Sequence, residues 1–370
     1  MPMKPGLHKS ALIAALILQA PGHSLSQTTS PELVGRPAVL RDIASQVLAP
    51  EWQDVATRCR ELTNAVQQFV AVPGQSTLED ARHAWLAAAQ SANRVRCFQS
   101  GPLTDRGCAS TFYYWQVLPA RIEGVLKSPR PIDQALVDEL GATSKGLFAV
   151  EYLLFDDKGG NPGQPAKQPP ALQLMIAPDS QRRRSFLLAV AVDLEVKARQ
   201  VANDWSQHGD RGETAKFVSG GQESLNLLVN QLAASMEDVA EKRLHFVLLL
   251  RPPISEEFYR IERSRSGSSL EGVLASLDGI QKTFRGANSL GLDDALKRLN
   301  PPLVTRLHEQ FERTIATARA IGAPLEQAVV DRRPALEKAC EETRALEILL
   351  KVDVASALGV TLTFSSNDGD

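Results

Sequence analysis

The sequence lacks an excess of charge of either sign: 41 Lys and Arg stand against 43 Asp and Glu, a formal charge of -2. That balance provides no broad field to hold nucleic acid or an anionic membrane, and neither is expected as a partner. Long apolar runs are scarce as well. The run from Ala11 to Leu18 falls short of the roughly 20 residues a spanning helix needs, and no later stretch reaches that length without charges. Preceded by Lys4, His8 and Lys9 and followed by the small Ser24 and Ser26, that run reads as a secretory signal over 1–26. The mature chain would then begin at Gln27, with no Cys near the cleavage site to carry a lipid and no transmembrane segment.

Catalytic motifs are missing too. No H-E-x-x-H supplies two zinc ligands and a base, and no G-x-S-x-G supplies a nucleophile elbow. Ser219-Gly220-Gly221 lacks the lysine of a phosphate loop and reads as a turn between helices. Beyond the signal only His83, His208, His245 and His308 remain, and His308 beside Glu309 and Glu312 reads as a solvated helix surface. Four cysteines would meet an oxidising compartment. Cys97 and Cys108 flank the Gly101-Pro102 turn and are the preferred bridge, whereas Cys59 and Cys340 are either buried thiols or a second disulfide.

What the chain does have is apolar residues at steps of three and four. Trp52, Val55, Cys59, Leu62, Val66 and Phe69 form one helix face after a start marked by Pro50. Ser76 with Glu79 suggests a capping box for the next helix, through Trp85 and Val95. Further helices are expected over Thr111 to Leu126 and Ile132 to Phe155. After the Gly- and Pro-rich segment 157–170, more are marked by Leu187 to Trp205, Leu225 to Val239, Leu270 to Phe284, Val304 to Ile315 and Arg333 to Leu358, where Gly359 stops the last. Only Val360 to Phe364 alternates like a strand. The expected fold is all-α, with helical bundles at 27–156 and 171–370 joined by the linker 157–170. Trp85, Trp115 and Trp205 should fill bundle cores, and Arg182-Arg183-Arg184 should be a solvated face.

Three separated segments resemble the imelysin-like family. Gly146-Leu147-Phe148-Ala149-Val150-Glu151-Tyr152 is similar to that family's signature of Gly, His two residues later and Glu three after that, with Phe148 in the His position. Arg265-Ser266-Gly267-Ser268-Ser269-Leu270 is the second segment, and Leu358-Gly359 with Phe364 and Asp368-Gly369-Asp370 the third. Trp85 followed by Cys97 to Pro102 is a weaker fourth. The resemblance implies a duplicated four-helix bundle, a periplasmic location and a connection to iron or haem uptake.

In that family His and Glu lie one helical step apart and can reach one ligand or metal. Phe148 supplies no lone pair, so iron or another divalent metal would be held only weakly here, by Glu151 and groups from elsewhere. The candidate binding residues are Glu151, Tyr152, Arg265 and Ser266, with Gly146, Phe148 and Glu151 as the degenerate motif and no catalytic residue assigned. Glu151 lies in an apolar segment and needs a partner; Arg265 is the first choice and Arg263 the second. Ser266 to Ser269, before the helix at Leu270, present an N-cap that could also receive an anion. The leading reading is a non-enzymatic periplasmic binding protein with a site between its bundles near Glu151, taking a small ligand, a metal or haem. The alternatives are a metal-dependent peptidase and a scaffold that binds another envelope protein.

Overall fold

The computed structural model describes residues 35–156, 171–206, 212–252, 254 and 257–362. The expected signal peptide, the segment 157–170, His208 and the end of the chain beyond 362 lie outside these. Among the described residues all regular structure is helical. The expected strand at Val360 does not form over its described part.

The first bundle uses α1 (36–71), α2 (Gln75–Val95), α3 (Leu147–Phe155) and α4 (Gln181–Ser206). The apolar stripe of α1, from Trp52 to Phe69, is buried throughout, and each such side chain contributes about 1.5–3 kcal/mol on leaving water. The helix starts well before Pro50, at Arg36, because a π-helical stretch at Ile43–Leu48 precedes the proline and interrupts the regular bond ladder that Pro would otherwise break. Helix α2 is capped two residues earlier than the capping-box expectation of Ser76 with Glu79. Gly74 is the N-cap, and its N–H donates to Thr77 Oγ1 at 3.1 Å. Helix α4, which lies beyond 157–170, packs along α1 and against α3, so this bundle is completed by chain from the far side of the expected linker. Arg182, Arg183 and Arg184 fasten its start, to the Val125 and Leu126 carbonyls, to Glu123, and to Met175 and Ser180, instead of lying solvated.

Two expected helices are broken. Thr111 to Leu126 becomes Ala109–Tyr113 and Pro119–Lys127, because the residue before a proline is driven out of helical geometry. Ile132 to Phe155 becomes Gln134–Glu139, a 3₁₀ turn and α3. The last break falls at Gly146, whose φ of +82° is left-handed and where a Cβ would stand 2.4 Å from the Thr111 carbonyl oxygen.

The second bundle uses α5 (222–249), α6 (Ser269–Arg285), α7 (Pro301–Ala320) and α9 (333–358), with the short α8 (Leu325–Asp331) before α9. Helices α5 and α9 contain π-helical stretches at Asp238–His245 and Leu349–Val354. Helix α6 crosses α2 and joins the bundles into one continuous core. At that crossing a Cβ on Gly279 would stand 1.7 Å from the Arg94 carbonyl oxygen, so the two backbones meet directly. All four cysteines are free. The expected Cys97–Cys108 bridge is not formed. Cys97 Sγ turns into the seam, 3.3 Å from Thr283 Oγ1 on α6, and Cys108 Sγ lies 3.4 Å from the Arg106 carbonyl.

Candidate functional site

Helix α3 is apolar on nearly every side and buried, which makes its one carboxylate costly unless it is partnered. Phe148 is 2% exposed and meets Trp85 edge-on, ring centroids 6.4 Å apart. The Trp85 indole N–H donates to the Leu147 carbonyl at 2.8 Å, which fixes that ring. The position three residues before Glu151 is therefore filled by a packed aromatic with nothing to offer a metal.

Glu151, also 2% exposed, receives two hydrogen bonds at Oε1, from the Ser266 backbone N–H at 3.0 Å and the Ser266 hydroxyl at 2.8 Å. Behind Ser266 the chain of polar contacts continues: Ser268 Oγ lies 2.7 Å from Ser266 Oγ and accepts from Arg263 Nε at 2.9 Å. A relay of hydroxyls thus connects the Arg263 charge to the carboxylate. Burial pushes the Glu151 carboxyl above its ordinary range, and the nearby Arg265 charge and the Ser266 hydrogen bonds offset that only in part.

The expected direct Glu151–Arg265 pair is replaced by this Ser266 contact. The loop 258–268 turns the Ser266 N–H toward α3 and places the Arg265 guanidinium elsewhere, 4.1 Å from the Tyr259 ring centroid and 5.6 Å from that of Tyr152. Its Nε is 3.9 Å from Asp156 Oδ1, and neither Nε nor Nη2 makes a hydrogen bond. Arg263 reaches Glu151 only through the relay. It lies 5.6 Å from the Trp85 ring centroid and has a left-handed φ of 62°, a strained setting for a side chain of that size. Tyr152 directs its hydroxyl to Glu123 Oε1 at 2.8 Å, and Arg183 pairs with the same oxygen. Of the four candidate residues, then, Glu151 and Ser266 touch, and Arg265 stacks on the Tyr152 ring beside them.

A cleft of about 630 Å³ opens next to this cluster, lined in part by Arg82, His83, Asp156, Arg265, Ser266 and Glu326. Glu326 accepts from the Ser269 hydroxyl at 2.5 Å, and burial pushes its carboxyl up to about 7. Ser269 is the first residue of α6, and its hydroxyl also accepts from the Leu325 N–H at 2.8 Å, so the N-cap segment ties α6 to the start of α8.

Sequence reasoning missed Glu262. It is buried and contacts Arg243 Nε at 2.9 Å and Arg96 Nη1 at 3.3 Å, while Arg96 Nη2 reaches Asp238 at 3.1 Å. Burial alone would push its carboxyl up, yet the charges of Arg243, Arg96 and Arg263 hold it below the ordinary carboxylate range. The available signal was the density of charge in Glu262-Arg263-Ser264-Arg265 directly after the apolar Ile261.

Among the described residues no group of three or more His, Cys, Asp or Glu side chains could hold a metal ion. His308 is engaged by Asp293 at 3.0 Å, His83 lies on the cleft wall, and His245 lines a different depression. With Phe148 apolar and one Glu151 oxygen already engaged twice by Ser266, the donor set does not fit a divalent cation. No described helix is long and apolar enough to cross a membrane.

The imelysin family model, a peptidase family designated M75, matches residues 48–350. Iron-regulated protein A of Synechococcus elongatus is 24% identical over 309 residues, covering 80% of this chain and 78% of that protein. A crystal structure described as an iron-regulated protein A precursor from Parabacteroides distasonis superposes with a TM-score of 0.75 at 19% identity, over 90% of this chain and 97% of that one. An imelysin-like protein from Psychrobacter arcticum superposes with a TM-score of 0.68 at 15% identity, over 90% and 98%. At such identities the two structures speak to the fold alone.

Proposed function

The chain belongs to the imelysin family, and from that premise we propose that it is a non-catalytic binding protein of the periplasm, serving iron or haem acquisition through the cleft beside Glu151. The observation that carries this reading is Phe148 packed on Trp85 with Glu151 already engaged by Ser266. A metallopeptidase needs protein ligands that leave an open position on a metal to activate water. Here one family ligand is a phenyl ring and the other is committed to a serine. The cleft wall instead offers the Arg265 guanidinium, whose Nε and Nη2 make no hydrogen bond, a group that suits a ligand with a carboxylate, as haem has, better than a bare cation. The name of the Synechococcus relative supports the link to iron.

Calorimetric titration with zinc and ferrous iron, beside titration with haem, tests this reading. The expected result is no tight divalent binding by the unmodified chain, a gain in zinc affinity for Phe148→His, and loss of that gain when Glu151→Ala is added. Tight stoichiometric zinc binding by the unmodified chain, lost in Glu151→Ala, restores the peptidase reading.

A further inference from the structure

A second cleft, of about 570 Å³, lies between the non-helical residues 114–118 and the π-helical stretch of α5. It shares no lining residue with the cleft beside Glu151. Its lining includes Tyr114, Trp115 and Phe246 together with Lys242, His245 and Arg260, of which Lys242 and Arg260 are exposed. Trp115 was expected in a bundle core and is instead only partly buried. Its indole N–H donates to the Arg260 carbonyl at 2.9 Å, which fixes the ring, and the buried Arg96 guanidinium lies 5.4 Å from its centroid.

The charge of the lining is one-sided. Glu241, the acidic residue of the lining, is taken by Arg344. Lys242 and Arg260 have no acidic partner among the described residues, and the Arg260 guanidinium lies 4.6 Å from the Phe246 ring centroid. A π-helical turn brings residues five apart into register, so Glu241 and Phe246 line the same wall together with Lys242 and His245. Flat aromatic walls select a planar apolar body, and unpaired cations at the mouth select an anionic substituent on it. An inorganic anion would leave the aromatic walls unused, and a neutral arene would leave the cations unanswered.

We propose that this cleft is a binding site for a planar aromatic carboxylate, held flat against Trp115 with its carboxylate at Lys242 and Arg260. The site stands independently of the reading given for the Glu151 cleft.

The test is calorimetric titration of the full chain with sodium 2-naphthoate and, separately, with its neutral methyl ester. Saturable binding of naphthoate is expected, with the ester weaker by about tenfold or more, since each lost charge-assisted contact is worth about that factor. Arg260→Gln and Lys242→Gln should each weaken naphthoate several-fold and act together in the double variant, and Trp115→Leu should weaken naphthoate and ester alike. Thermal melts of the variants establish that each is folded, and since Lys242 and Arg260 are exposed their melts should be unchanged. Equal affinity for the ester, unchanged naphthoate binding in the double variant, or no saturable binding by the unmodified chain would each overturn the proposal.

Discussion

Glu151 faces the loop 258–268 and Glu262 belongs to it; both are buried carboxylates, and they are treated in opposite ways. Glu262 lies against two guanidinium groups and is held below the ordinary carboxylate range; Glu151 is met by a serine hydroxyl and a backbone N–H and is pushed above it. The two have arginines nearby in similar number, with Arg263 acting on both. Direct guanidinium contact, not proximity of charge, decides the direction in which each carboxyl is shifted, because desolvation is recovered only by bonds made at short range. Glu262 is accordingly part of an ion cluster joining α2, α5 and the loop, and Glu151 is a hydrogen-bond acceptor that fixes the loop's turn.

Neutralising Glu262 breaks the comparison most severely. Glu262→Gln leaves Arg96 and Arg243 facing each other in the core and should cost about 3–5 kcal/mol in urea unfolding. Because its folded carboxyl is depressed, that stabilisation is present above the ordinary value of 4.5 and is lost as pH falls through the folded value. The gap between unmodified protein and variant should therefore close in acid, and a gap that widened there would refute the assignment.

Glu326 should show the opposite slope. Its folded carboxyl is raised from 4.5 to about 7, so the stability it contributes is complete below 4.5 and is lost as pH rises through 7, roughly 3 kcal/mol in all. Glu326→Gln should flatten the stability profile over that window. An unchanged slope would mean that Glu326 ionises freely in the folded chain.

Glu151→Gln should be the mildest, about 1 kcal/mol or less in the same unfolding assay, because an amide oxygen can still accept from Ser266. Glu151→Ala should cost about 1–3 kcal/mol by orphaning the Ser266 donors. If the glutamine variant proved as damaging as Glu262→Gln, Glu151 would have to be an ion-pair member after all, and the contrast between the two carboxylates would dissolve.

How much of this was legible follows the range of each interaction. The long helices were readable because three-four spacing is a local signal, and Leu187 to Trp205 or Leu270 to Phe284 give it without interruption. The region between α2 and α3 was misread wherever a proline or a left-handed glycine cut a plausible stripe, as at Pro119 and Gly146. Glu151 and Ser266 are singled out as candidates by a family resemblance, and the expected Glu151–Arg265 pair is not formed because a loop's backbone direction leaves no trace in residue spacing. The partners of Glu262 were hidden for a simpler reason. Arg96 lies 166 residues away along the chain, and nothing local to either residue reports the other.

The direct meeting of Gly279 with the Arg94 carbonyl has a kinetic consequence. Bilobal binding proteins that close on a ligand do so by hinge or shear, and shear needs side chains that can slide over one another. At Gly279 there is none to slide, and parting the bundles would open a backbone contact inside a continuous core. Access to either cleft must then come from loop and side-chain rearrangement, on nanosecond-to-microsecond timescales, and not from microsecond-to-millisecond domain swinging. A ligand would find its site shaped in advance, and its residence time would be set by contacts within the cleft and not by the opening of a gate.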